Sequence, residues 1–206
     1  MNDIELSLAN LMPNDVEPLM VSYEGHEAVR LVLTPNAETP DNPTFARVKD
    51  IEFCDGIIEI DVAGRPLLNA FPEARGFIGI AFRIADDLSA FECMYLRPTN
   101  GRAEQQLRRN RATQYFSYPD WKFDRLRNEV PGHYEAYVDL VTGAWTKMRI
   151  EVRGDKAKLF VHDKEHPIII VNDLKHGSEM KGGIGLFIDN GTEGFFKNLR
   201  VKHNFF

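Results

Sequence analysis

The 206-residue sequence has little of what would place it in a membrane, on a nucleic acid or in a disulfide scaffold. No run approaches the roughly 20 apolar residues that a membrane-spanning helix needs, so no membrane partner is expected. The opening stretch MNDIELSLANLMPND has no basic segment followed by a long apolar core, and does not read as a secretory leader. Taken as it stands it places the chain in the cytoplasm, although a secreted chain trimmed of its leader reads the same. Cysteine is scarce. Cys54 and Cys93 lie in apolar, strand-like surroundings and read as buried free thiols, with a disulfide between them as the alternative. A formal net charge of −6 offers a polyanion no general attraction, so no nucleic-acid partner is expected. One basic stretch, residues 102–111, runs against that balance and reads as a solvated loop or short helix. Pro and Gly are scattered, and no Ser-rich or repeated segment marks a linker. The whole chain, 1–206, therefore reads as one domain, with 1–27 as an N-terminal segment.

Helical periodicity is nearly absent too, and what is present has period two. In residues 56–62, Ile58, Ile60 and Val62 share one face while Glu59 and Asp61 share the other. Residues 28–33, 45–48, 77–84, 90–97, 133–140, 145–153, 156–162, 167–171, 183–188 and 195–202 read as further strands, with Gly154-Asp155 turning one hairpin. In 77–84 the row of Gly79 and Ala81 leaves room above the sheet, with Arg83 at its end, for a ligand or equally for the close approach of a neighbouring loop. Residues 99–124 read as a long irregular segment with one helical turn near 104–109. Its aromatic residues (Tyr115, Phe116, Tyr118, Trp121, Phe123) argue against disorder. Many short strands at regular spacing with almost no amphipathic helix imply an all-β sandwich or barrel.

The stretches Gly76-Phe77-Ile78-Gly79-Ile80-Ala81-Phe82-Arg83 and Phe91-Glu92-Cys93-Met94-Tyr95-Leu96-Arg97-Pro98 carry a more specific likeness. So do Trp145-Thr146-Lys147-Met148-Arg149-Ile150-Glu151-Val152, Gly182-Gly183-Ile184-Gly185-Leu186-Phe187 and Phe196-Lys197-Asn198-Leu199-Arg200-Val201. Together they resemble the family of 3-keto-disaccharide hydrolase domains, over roughly residues 29–203. That resemblance implies a two-sheet antiparallel jelly-roll sandwich of the concanavalin A-like type, and activity on glycosides. The C-terminal pattern is shared with laminin-G-like modules and bears on fold more than on function. The family is largely secreted, and the missing leader departs from it.

A sugar site needs flat apolar faces for the C–H side of a ring and planar polar groups for its hydroxyls. Arg83, Tyr95, Arg97, Asn100, Arg102, Gln114, Tyr115 and Trp121 supply both kinds and are the candidate substrate-binding residues. Glu92, in an otherwise apolar strand, is the single acid/base candidate, because burial raises a carboxyl pKa. Strand parity stands against the full set. Phe91, Cys93, Tyr95 and Arg97 share one face and Glu92, Met94 and Leu96 the other, so Glu92 and Tyr95 point together only across a bulge. Glu59-Ile60-Asp61 resembles the start of the Glu-x-Asp-x-x-Glu strand of retaining glucanases. The third carboxylate is absent, Gly64 following Ala63, and the pair reads as a solvated strand face. His162 and His166 read as surface residues, and no zinc set, phosphate loop or Ser/His/Asp signature stands out. No cofactor is expected; a structural calcium is compatible with the fold, but no Asp-rich loop specifies it. Three functions follow: a glycoside hydrolase acting on glycosides or their 3-keto forms, a non-catalytic lectin-like carbohydrate-binding module, and a laminin-G-like protein-interaction domain.

Overall fold

A computed structural model describes residues 1–204. In chain order its strands are β1 (Asn2–Asp3), β2 (Leu11–Asn14), β3 (Val16–Tyr23), β4 (His26–Leu33), β5 (Phe45–Val48), β6 (Gly56–Pro66), β7 (Ile78–Ile84) and β8 (Phe91–Leu96). They continue with β9 (Thr113–Tyr118), β10 (Glu135–Ala136), β11 (Thr146–Arg153), β12 (Lys156–Val161), β13 (Ile169–Val171), β14 (Gly183–Ile188) and β15 (Thr192–His203). Two short helices, α1 (Gln106–Arg109) and α2 (Phe123–Glu129), lie either side of β9.

The strands form two antiparallel sheets. One has eight strands in the order β13-β12-β11-β6-β15-β4-β3, with β1 also paired to β15. The other has seven, β10-β9-β8-β7-β14-β5-β2. In each sheet, runs of hairpin-connected strands are joined through strands distant in sequence, β11-β6-β15-β4 in one and β7-β14-β5 in the other, which is the wiring of a jelly roll. Alternation sets the faces of the larger sheet. Ile58, Ile60 and Val62 of β6 and Met148, Ile150 and Val152 of β11 are buried, while the residues between them are half exposed. The smaller sheet differs, because every residue of β7, β8 and β14 is buried. One face packs on the larger sheet, where the Ile78 side chain closes on Gly64 and Gly194. The other face is roofed by loops, and the candidate site lies there.

Several sequence expectations are refined. Residues 113–118 form a strand, β9, inside the segment read as irregular. Of 133–140 only Glu135–Ala136 pairs as a strand, and of 167–171 only Ile169–Val171. Of the two readings of the Gly79 row, the packed one holds: the space above Gly79 is filled by Tyr95 on the neighbouring strand and that above Gly185 by Phe45.

Arg83 is also displaced from its expected face. Gly183 pairs with Ile84 and Ile184 with Phe82, so Arg83 is the extra residue of a bulge, held at a φ of +54°. Its side chain, fully buried, crosses to the end of the larger sheet. There it donates to the carbonyls of Cys54 (3.0 Å), Gly154 (2.8 Å) and Gly177 (2.8 Å) and to Asp55 Oδ1 (3.1 Å). A buried guanidinium is tolerated only when its donors are met, and here they clamp three loops over one end of the core. Arg83→Met keeps the volume and removes the donors. It should lower the unfolding free energy in urea by about 3 kcal/mol, whereas Arg102→Gln should leave the midpoint where it is. An unchanged midpoint for Arg83→Met contradicts the clamp.

Candidate functional site

The register between β7, β8 and β9 decides which side chains can meet. Ile80 lies opposite Met94, and Gly79 opposite Tyr95; Tyr95 lies opposite Gln114, and Glu92 opposite Ser117. β8 carries no bulge along these pairings. The Met94 row therefore faces the larger sheet, and the Tyr95 row faces the loops. Arg97, just beyond β8, continues the Tyr95 row.

Arg97 is the centre of this face. Only 4% exposed, it donates to the Tyr95 hydroxyl (2.8 Å), Gln114 Oε1 (3.0 Å), the Arg111 carbonyl (3.2 Å) and Glu135 Oε1 (3.2 Å). Its guanidinium carbon lies 5.0 Å from the Tyr95 ring centroid and 6.0 Å from that of Phe123. Glu135 also takes the guanidiniums of Arg127 and, at 3.4 Å, Arg111. Asn100 Nδ2 donates to the same Arg111 carbonyl (2.9 Å), and its Oδ1 accepts from Arg108 Nε (3.3 Å).

These groups form one side of a cavity of about 400 Å³. Phe71, Phe77, Tyr95 and Phe123 supply rings to its wall. Arg75, Arg97, Arg108, Arg111 and Arg127 reach it, with Asn100 and Asn190. Glu73 stands at the exposed rim and Asp189 is buried in the wall.

Behind Asp189 is a second buried carboxyl, Asp41. The Asp41 backbone N–H donates to Asp189 Oδ2 (2.9 Å), and Asp41 Oδ2 accepts from the Phe123 N–H (2.7 Å). Asp41 Oδ1 is buried with no hydrogen-bond partner. Burial, and after it the charge of Asp189, push the Asp41 pKa up to about 7, against the Phe123 N–H, Arg97 and Lys122. Burial raises Asp189 as well, against the N–H groups of Asp41 and Asn190.

Of the residues singled out in the sequence, Tyr95, Arg97 and Asn100 line the cavity, and Gln114 braces Arg97 from behind. The others are elsewhere. Glu92 is fully buried on the far side of the sheet, where it accepts from the Tyr115 hydroxyl (2.8 Å) and the His176 N–H (3.1 Å). Tyr115 accepts in turn from the Lys175 N–H (3.1 Å). Burial, and then the Glu92 charge, hold the Tyr115 pKa well above the ordinary tyrosine value, so its hydroxyl keeps the proton it donates. This pair pins the loop before β14 and cannot touch a sugar in the cavity. Arg83 closes the opposite end of β7, about 17 Å of strand away. Arg102 is exposed and pairs with Asp139 (2.8 Å), and Trp121 lies beneath Arg125, 3.7 Å from its ring centroid. Sequence reading missed Arg75, Asp41 and Asp189, which sit in loops without a motif. It passed over Arg108 and Arg111, whose signal was the basic stretch 102–111.

A larger cleft of about 680 Å³ crosses the outer face of the other sheet, past Glu59, Asp61 and Lys197. Four of its polar groups are paired with one another: Arg200 with Glu59, and Asn198, which donates to Asp61 at 2.7 Å. Its one ring, Phe196, is fully buried. The smaller cavity is the better-equipped site.

No known protein family matches this chain in sequence, and no curated protein does. Solved structures match it in shape. A carbohydrate-binding module, CBM66, from Bacillus subtilis aligns over 92% of this chain and 96% of its own, at 13% identity and a TM-score of 0.58. A Bacillus subtilis protein with a galectin-like fold covers 92% and 87%, at 13% identity and 0.56. A proposed glycosyl hydrolase from Parabacteroides distasonis covers 97% and 93%, at 14% identity and 0.52. The chain is a jelly-roll sandwich of this lectin-like kind. At such identities the likeness reaches the fold and stops there.

The Asp41–Asp189 pair gives a measurable signature. Folded Asp41 holds its proton up to about pH 7, whereas an ordinary aspartate releases it near 3.8. Its contribution to stability is complete below the lower value and is lost as pH rises through the higher one. Asp41→Asn should therefore raise the melting temperature at pH 8 and flatten its fall between pH 5 and 8. A variant that melts lower than the parent at pH 8 contradicts this account.

Proposed function

We propose that the chain binds a carbohydrate in the Tyr95–Arg97 cavity, acting as a lectin-like module. One observation carries the reading: four aromatic rings and a set of fixed, planar hydrogen-bonding groups meet in one cavity. Rings offer flat faces to the C–H side of a pyranose, and guanidinium and carboxamide groups read its hydroxyls. Arg97 is immobilised by four partners, so little side-chain freedom remains to be lost on binding. Fold neighbours named as a carbohydrate-binding module and a proposed glycosyl hydrolase support the ligand class.

Glycoside cleavage, of ordinary or 3-keto substrates, is the second reading. It rests on Asp189, which reaches the cavity wall with a pKa raised by burial and has Asp41 behind it. Glu92 has no part in it. Mass spectrometry of a glycoside panel separates the two readings. Released sugar that disappears in Asp189→Asn makes the chain a hydrolase, and binding without release makes it a lectin.

Binding itself should be seen by calorimetry against glycans selected on an array. Phe71, at the rim and 38% exposed, can be removed without disturbing the core. Phe71→Ala should weaken binding about tenfold, the effect of losing one aromatic anchor. Lys197→Ala, in the cleft of the other sheet, should change nothing. The opposite pattern moves the site to that cleft.

A further inference from the structure

The positive charge around the cavity exceeds what the protein neutralises. Glu135 is one carboxylate shared by three guanidiniums, those of Arg97, Arg111 and Arg127. Arg75 and Arg108 make no ion pair among the described residues. Arg75 donates only to the carbonyls of Pro72 (2.7 Å) and Ala74 (3.0 Å). Arg108 makes long contacts to Asn100 Oδ1 (3.3 Å) and Thr99 Oγ1 (3.4 Å). The crowding is felt. Burial, and then the neighbouring Arg108, lower the Arg75 pKa; burial, and then Arg127, lower that of Arg111. On the acid side, Asp189 is buried and Glu73 stands exposed at the rim. A chain with a net charge of −6 has therefore gathered five arginines about one cavity. Two of them, Arg108 and Arg111, come from the basic stretch that looked like solvated surface.

Such an arrangement costs energy in the empty protein and is relieved by an anion. Guanidinium planes match carboxylate, sulfate and phosphate groups through paired N–H donors. We infer that the sugar bound here carries an oxyanion, seated against Arg75 and Arg108 while its ring lies on the aromatic wall. The inference rests on the carbohydrate reading above and sharpens it to acidic glycans: uronates, sulfated sugars or sugar phosphates. Cationic walls also concentrate an anionic ligand near the cavity.

A glycan array bearing neutral, uronate-containing, sulfated and phosphorylated glycans tests this with the full chain. Calorimetry then follows on each acidic hit and its uncharged counterpart, the methyl ester for a uronate and the parent sugar for a phosphate or sulfate. The acidic form should bind at least tenfold more tightly, and the preference should shrink in 0.5 M salt. In R75Q/R108Q, checked for folding by its melting temperature, the acidic-to-neutral ratio should fall to about one; in R200Q, on the other sheet, it should persist. The class of hit tells carboxylate from sulfate and phosphate. Equal binding of acidic and neutral forms overturns the inference and leaves the carbohydrate reading standing, as does a preference that survives R75Q/R108Q. No binding to any glycan removes both.

Discussion

The buried ion pair between Arg97 and Glu135 is the contact on which the candidate site depends. Both side chains are about 5% exposed, so neither charge survives there unless met by the other and by hydrogen bonds. Arg97 follows β8 and Glu135 begins β10, with Gln114 of β9 between them. The pair thus staples the edge of the seven-stranded sheet while setting the guanidinium plane at the cavity. Arg111, before β9, and Arg127, in α2, are drawn to the same carboxylate, which brings the loop and the helix to one place. Removing Glu135 would leave three like charges together, a far greater loss than one ion pair.

A sheet covered on both faces makes this possible. In a half-exposed sheet every second residue meets water, and a polar residue there carries little information. In β8 and β9 both rows are enclosed, and Glu92, Tyr95, Gln114 and Tyr115 are each given partners there. The row toward the larger sheet uses Glu92 and Tyr115 to hold the loop through Lys175 and His176. The row toward the loops uses Tyr95, Gln114 and Arg97 to build a cavity. Two polar groups one residue apart in register therefore do different work, one structural and one facing the ligand space.

The strands with one wet face were legible in the sequence. The alternation of β6 named its core residues, and the turn at Gly154 was visible between its hairpin arms. Parity also separated Glu92 from Tyr95 before any coordinates, and the unbulged β8 keeps them apart. What escaped has physical causes. β9 buries Thr113, Gln114 and Ser117 beside Tyr115 and Phe116, so its hydropathy does not alternate. β3 contains Pro18, tolerated because it is an edge strand. The bulge at Arg83 turns one side chain to the other face, which strand parity cannot anticipate. Much of the cavity wall comes from residues such as Phe71, Arg75 and Asp189, with Asp41 behind it, brought together from loops far apart in the chain. Their meeting depends on topology and leaves no local pattern.

The central claim is that the Tyr95–Arg97 face, and not the cleft on the opposite sheet, is where ligand sits. The most direct measurement is the NMR spectrum of the arginine Nε–Hε groups during titration with a glycan that binds. The account predicts that Arg75, Arg97 and Arg108 shift together and saturate, while Arg83 and Arg200 stay in place. Shifts gathered at Arg200, with the Arg97 signal unmoved, contradict it.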